Sequence, residues 1–185
     1  MYKIFHRTNG PAIESRNGTK EWYINGIRHR HNGPAIIFNN GDMEWYANGV
    51  LHRKDGPAVD YISTGLKEWW NNGTLHRTRG PAIEHPNGDK IWYLNGKRHR
   101  TNGPAIEKEN GDKEWWYDGK LHRITGPAIE YISGLKEWWI NGNLHRTDGP
   151  AIETPDGNKE WWINGEAYKI TDEEVRQYNA IRELL

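Results

Sequence analysis

A 23-residue phrase is written seven times along this chain of 185 residues, and that period constrains the fold more than any other feature. Its clearest copy runs His122-Arg123-Ile124-Thr125-Gly126-Pro127-Ala128-Ile129-Glu130, then Gly134-Leu135-Lys136-Glu137-Trp138-Trp139, then Asn141-Gly142. His followed by Arg stands at His6, His29, His52, His76, His99, His122 and His145, and the spacing is 23 residues except for one step of 24. A period of this length marks a tandem array, in which each repeat buries its apolar side mainly against its neighbours. Such a chain presents a surface rather than enclosing a pocket.

Two turn signals punctuate each repeat. One follows the aromatic pair: Asn25-Gly26, Asn48-Gly49, Asn72-Gly73, Asn95-Gly96, Asp118-Gly119, Asn141-Gly142 and Asn164-Gly165. Asn-Gly and Asp-Gly tolerate the positive φ of a type I′ turn, the turn that matches strand twist. The other is Asn17-Gly18, Asn40-Gly41, Asn87-Gly88, Asn110-Gly111 and Asp156-Gly157, replaced by Ser63-Thr64-Gly65 and Ser133-Gly134 in the third and sixth repeats. The extra Thr64 therefore falls in a turn, where an insertion leaves strand register intact. Between the turns lie two extended runs per repeat, Pro-Ala-Ile-Glu-Tyr and Lys-Glu-Trp-Trp-Ile, and Gly and Pro interrupt every window in which a helix could form. The expected fold is an all-β repeat: an elongated single-layer antiparallel meander of about seven β-hairpin units over residues 6–165.

Alternation along a strand sorts the faces. The first aromatic is Trp in every repeat (Trp22, Trp45, Trp69, Trp92, Trp115, Trp138, Trp161), and two positions on stand Ile24, Ala47, Asn71, Leu94, Tyr117, Ile140 and Ile163. That mostly apolar face is the expected core side. The second aromatic (Tyr23, Tyr46, Trp70, Tyr93, Trp116, Trp139, Trp162) shares its face with a row of Glu and forms a candidate exposed strip.

The ends break the phrase. Residues 1–5 are expected to add an edge strand as an N-terminal cap. After Gly165, within 166–185, Thr171 and Glu174 fit a capping box. Val175, Tyr178, Ile181 and Leu185 follow at helical spacing, so a C-terminal capping helix is expected over about 172–184.

Apolar residues make up only 35% of the chain, and eleven Trp with nine Tyr must supply the buried area. The 25 basic and 25 acidic residues cancel, which argues against a non-specific nucleic-acid binder. There is no cysteine, which excludes disulfides and thiolate chemistry. No apolar run approaches the roughly 20 residues of a membrane span, and Met1 to Arg7 hold no signal-peptide core. A soluble cytoplasmic protein is expected, in the cytoplasm of a bacterial host cell if the source is viral.

The rhythm Trp139-Ile140-Asn141-Gly142-Asn143-Leu144-His145, continuing to Gly149, resembles the MORN repeat (membrane occupation and recognition nexus) and its bacterial variants over residues 6 to about 165. The chain departs from the ordinary family pattern in carrying Arg, not a small residue, after each His, and a fixed Pro-Ala after the second glycine. The phrase His-Arg-x-Asp-Gly-Pro-Ala-Ile-Glu with an acidic closing helix also resembles repeat proteins of bacteriophages and large DNA viruses. The resemblance implies rows of β-hairpins that serve as scaffolds, dimerisation arms and platforms for proteins or, in some cases, lipid headgroups. No polybasic cluster of the kind that binds a lipid surface is present, which argues against a membrane partner.

The His row invites a metal reading, but equivalent residues two strands apart lie about 9–10 Å from one another, too far to share one ion through bonds of about 2 Å. His-Arg beside Glu rows invites a catalytic reading, yet catalysis needs distinct roles and unequal pKa values that identical copies do not provide. Arg–Glu ladders are the plainer account of those charges. The expected function is a non-enzymatic protein-binding scaffold or adaptor without metal or cofactor, in a narrower version a viral accessory protein that binds a host defence factor. Two alternatives stay open: a module for a small anionic ligand such as a nucleotide, and a homo-oligomeric dimerisation arm or spacer. The candidate binding face is Trp70, Tyr93, Trp116, Trp139, Trp162, His76, Arg77, His99, Arg100, His122, Arg123, His145 and Arg146, residue types enriched at binding hot spots.

Overall fold

The computed structural model describes residues 5–7, 9–171, 173 and 176. It comprises two compact units, Met1–Arg98 and His99–Leu185, each nearly all β and built on the same plan. In the first, antiparallel strands pair in sequence order: Ile13–Glu14, Lys20–Glu21, Ile36–Ile37, Met43–Glu44, Val59–Tyr61, Leu66–Glu68, Ile83–Glu84 and Lys90–Ile91. In the second the order is Ile106–Glu107, Lys113–Glu114, Ile129–Glu130, Lys136–Glu137, Ile152–Glu153, Lys159–Ile163 and Glu166–Tyr168. The meander expected from the sequence is present in both units. Around Thr64 the register is preserved, with Asp60 opposite Lys67 and Val59 opposite Glu68.

The Lys-Glu-Trp-Trp-Ile run is not one strand, which corrects the expectation of two strands per repeat. It breaks at the first Trp, and the second aromatic opens a separate small hairpin, such as Tyr46–Ala47 with Val50–Leu51 or Trp139–Ile140 with Asn143–Leu144. The reason lies in the backbone of the Trp. A residue within a ladder directs its N–H and C=O to the same neighbour. Trp45 instead donates its amide to Ala58 of the following repeat (2.8 Å) and accepts on its carbonyl from His52 (3.0 Å). Trp22, Trp45, Trp69, Trp115 and Trp138 are thus corners at which the chain changes partners. Only Lys159–Ile163 runs straight through, pairing Trp161 with Tyr168; no further Pro-Ala follows in the sequence.

The Asn-Gly turns have the geometry their composition predicts. Asn25, Asn48, Asn72, Asn95, Asp118, Asn141 and Asn164 all have φ between 48° and 53°, and each is followed by a glycine of positive φ. The core is centred elsewhere than expected. Ala35, Ala58, Ala82, Ala105, Ala128 and Ala151 are fully buried and the adjoining Ile36, Val59, Ile83, Ile106 and Ile129 nearly so, whereas Trp22 alone of the first-Trp row is buried. The other members of that row are half-buried. Small alanines lie where hydrogen-bonded backbones approach closely, and the wide indoles flank them with one face still to be covered.

A further joint links successive turns. Asp42 accepts from the Ser63 amide (2.8 Å) and hydroxyl (2.6 Å), and Asp112, equally buried, accepts from the Ile132 amide (2.9 Å) and from Asn110 (3.0 Å). The hydrogen bonds from Asn110 and the Ile132 amide outweigh burial and, helped by Lys108, hold the Asp112 carboxyl below the usual carboxylate range. A carboxyl whose folded-state pKa is depressed stabilises the fold above its unfolded pKa of about 3.9, and that contribution is lost as pH falls through the folded value. The melting temperature of the native chain therefore falls more steeply below about pH 4 than that of Asp112→Asn. Melting curves between neutral and acid pH check this, and parallel curves would refute it.

Residues 1–4 of the expected N-terminal edge strand lie outside the described residues; Phe5 is irregular and accepts from the Gly26 amide (2.8 Å). The helix expected over 172–184 also lies outside them, apart from Glu173 and Arg176, which are helical. Among the described residues no helix is long and apolar enough to cross a membrane.

Candidate interaction grooves

Each His of the His-Arg pair is committed to the following repeat through Nδ1. His29 Nδ1 accepts the Asn48 amide (3.0 Å), His52 that of Asn72 (3.1 Å), His99 that of Asp118 (3.1 Å) and His122 that of Asn141 (3.1 Å). His76 and His145 hold the Asn95 and Asn164 turns in the same way. An imidazole that accepts on Nδ1 carries its proton on Nε2. Among the described residues no three His, Asp or Glu side chains are grouped to hold a metal ion.

The Arg beside it covers the open face of the tryptophan. The guanidinium carbons of Arg30, Arg53, Arg77, Arg123 and Arg146 lie 3.6–3.9 Å from the ring centroids of Trp22, Trp45, Trp69, Trp115 and Trp138. The same groups donate through Nη1 to the carbonyl four residues on: Arg77 to Pro81 (2.8 Å) and Arg123 to Pro127 (2.9 Å). Three of them, and Arg100 likewise, also reach the Glu seven residues on: Arg77–Glu84, Arg100–Glu107, Arg123–Glu130 and Arg146–Glu153, at 2.5–3.1 Å. The glycine of Arg-x-x-Gly makes room for this. A Cβ at Gly33, Gly80, Gly103 or Gly126 would stand 3.1–3.2 Å from the guanidinium carbon, and at Gly56 2.8 Å. The Arg after each His and the Gly-Pro-Ala that follows are therefore parts of one device.

Between consecutive Arg-x-x-Gly loops run shallow open grooves. In the first unit one lies between His29-Arg30-His31 and His52-Arg53-Lys54, with Trp45 and Ala47 at its base and a volume of about 380 Å³. In the second unit a groove of about 410 Å³ is lined by Arg100, Trp115, Tyr117, His122, Arg123 and Ile124. Tyr117 packs beside the His99 ring (centroids 4.6 Å apart) and faces His122 on its other side (6.0 Å). Tyr117 is 51% and Ile124 81% exposed, so large apolar surface meets charged donors in one open trough.

The residues proposed from the sequence divide into two groups. His76, Arg77, His99, Arg100, His122, Arg123, His145 and Arg146 belong to the joints described above, and the grooves lined by Arg100, His122, Arg123, His145 and Arg146 also contain a first Trp, Trp115 or Trp138. Trp70, Trp116, Trp139 and Trp162 are half-buried beside the Glu row and donate Nε1–H to Glu68, Glu114, Glu137 and Glu160 at 2.8–3.0 Å. Tyr93, also half-buried, stands opposite Arg98. On that same side Tyr131 donates to Glu114 (2.8 Å), and burial together with this carboxylate pushes its pKa up to about 12. Sequence reasoning missed Tyr117 and Ile124 as groove residues. Tyr117 had a signal, being the one aromatic in the row that includes Ile24, Ala47 and Leu94. No protein-family model matches the chain, and comparison with curated proteins finds no match.

Proposed function

We propose that the chain is a non-enzymatic protein-binding scaffold that docks its partner along the grooves on the first-Trp side of its repeats. The observation that carries this reading is the trough in the second unit, where exposed Tyr117 and Ile124 stand with Arg100, His122 and Arg123. Aromatic, apolar and Arg side chains in one depression are what binding hot spots are made of. The resemblance to MORN arrays, which serve as scaffolds and platforms, points the same way, though fold-level likeness does not name a partner. Grooves of the same architecture recur along the repeats, which suits an extended partner better than a reaction that needs one asymmetric centre.

The test is affinity capture with cross-linking on the native chain and on the Tyr117→Glu/Ile124→Glu variant. Both positions are exposed, so the variant is expected to melt within a few degrees of the native chain while its specific partner is lost from the captured set. Recovery of the same proteins in the same amounts by both chains would refute the docking face. If the partner is a second copy of the chain, light scattering shows the native dimer dissociating in the variant.

A further inference from the structure

The groove between His29-Arg30-His31 and His52-Arg53-Lys54-Asp55 differs from its counterparts in charge, and we propose that it binds a phosphate monoester. The Arg residues at 77, 100, 123 and 146 are each neutralised by the Glu seven residues on. For Arg30 that position is Ile37, and for Arg53 it is Asp60, one methylene shorter. Neither guanidinium meets a carboxylate among the described residues. Both are nonetheless fixed in place, Arg30 on Trp22 (3.9 Å) and the Pro34 carbonyl (3.1 Å), Arg53 on Trp45 (3.8 Å) and the Pro57 carbonyl (3.0 Å). Two held, uncompensated guanidinium groups bind an anion with little further ordering cost, and Arg suits phosphate geometry in particular.

The remaining polar atoms are almost all donors. His52 accepts the Asn72 amide on Nδ1 and so presents Nε2–H. His29 does the same with Asn48, and its Nε2 lies 3.2 Å from His31 Nδ1. That pairing leaves the Nε2–H of exposed His31 for a ligand. Lys54 adds an exposed ammonium, and the Asp55 carboxylate is the one acidic side chain along the groove. Ala47 is the smallest residue of its row, so the base is open where other repeats carry Ile, Leu or Tyr. Two strand spacings separate equivalent atoms of successive repeats by about 9–10 Å. A phosphate accepting at about 2.8 Å from a donor on each side spans most of that gap. The groove is open to solvent, which leaves room for the ester's organic part to point outward. This site stands or falls independently of protein docking at Tyr117 and Ile124.

The test follows the arginine Nε–Hε resonances of the full ¹⁵N-labelled chain during titration with inorganic phosphate, O-phosphoserine and adenosine monophosphate. Saturable shifts are expected at Arg30 and Arg53, with Arg77, Arg123 and Arg146 unmoved. A preference for adenosine monophosphate identifies a nucleotide as the source of the phosphoryl group and a preference for O-phosphoserine a modified side chain; equal binding means the phosphoryl group alone is read. Ile37→Glu/Asp60→Glu restores the carboxylate that other repeats carry, and is expected to weaken binding about tenfold or more without lowering the melting temperature. Lys54→Ala, at an exposed site, is expected to weaken it less. Equal shifts at all arginines, no saturation into the tens of millimolar, or undiminished binding by the double variant would overturn the proposal.

Discussion

Trp138→Ala is expected to lower the stability of the fold by about 3–5 kcal/mol, the range for removing a large aromatic from a packed site, while Trp139→Ala costs clearly less. The two neighbours carry the same side chain in different settings. The Trp138 amide is bonded to Ala151 (2.8 Å) and its carbonyl receives His145 (2.9 Å), so the indole sits at the corner where two repeats meet. Arg146 lies 3.9 Å above its ring. Truncation removes the surface on which Arg146 rests. Trp139, half-buried like Trp138, has its Nε1–H on Glu137 (2.8 Å) and opens a small hairpin opposite Leu144. Its loss leaves Glu137 to water, which solvates a carboxylate well. Denaturant unfolding of the two variants measures the contrast, and an inverted order would mean that the joints are not where the stability lies.

The second large effect is expected at a residue without a side chain. Gly80→Ala costs about 2–3 kcal/mol, at the upper end for one strained backbone position, because two penalties coincide. The backbone there has φ of 113°, which a Cβ disfavours. The new methyl would also stand 3.1 Å from the guanidinium carbon of Arg77. To make room, Arg77 must leave the Trp69 ring (3.6 Å) and loosen its bonds to Pro81 and Glu84. The double variant Arg77→Ala/Gly80→Ala separates the causes. If collision with the guanidinium matters, the glycine substitution costs less once Arg77 is gone, whereas an additive pair would leave backbone strain as the whole explanation.

Much of this fold was legible because turn chemistry is local. Asn141-Gly142 and its counterparts announce hairpins whatever surrounds them, and the period of the phrase places one in every repeat. The corner at the first Trp was not legible. Whether Trp45 stays in its ladder depends on where Ala58 and His52 arrive, and no pattern within Glu44-Trp45-Tyr46 encodes that. Alternation assigned the deepest burial to the first tryptophans, and Trp138 and Trp139 are both half-buried. The fully buried residues are alanines, whose small size is a poor hydrophobic signal and a good one for close backbone approach. Arg–Glu pairing was expected from the sequence and is present, but the hold of the His ring on the next turn and of the Arg on the tryptophan was not. A His-Arg pair looks the same in sequence whether it waits for a ligand or holds the next turn. Only the absence of Glu at positions 37 and 60 marks, in the sequence itself, where an arginine is left uncompensated.

The backbone handover at each corner also bears on how such a chain can change its length. What a repeat needs from its successor is a Pro-Ala carbonyl, received at the Trp amide, and a turn amide, received at the His ring. Within each unit the successive repeats supply both. Excision of 122–144 in frame would bring Leu121 next to His145, and each donor would meet the same kind of acceptor as before. A slip of one or two residues would meet none. Gain or loss of whole 23-residue blocks is thus nearly silent for the backbone while it shifts the composition of the grooves. Variation in copy number can alter what the surface recognises without a new fold having to be found.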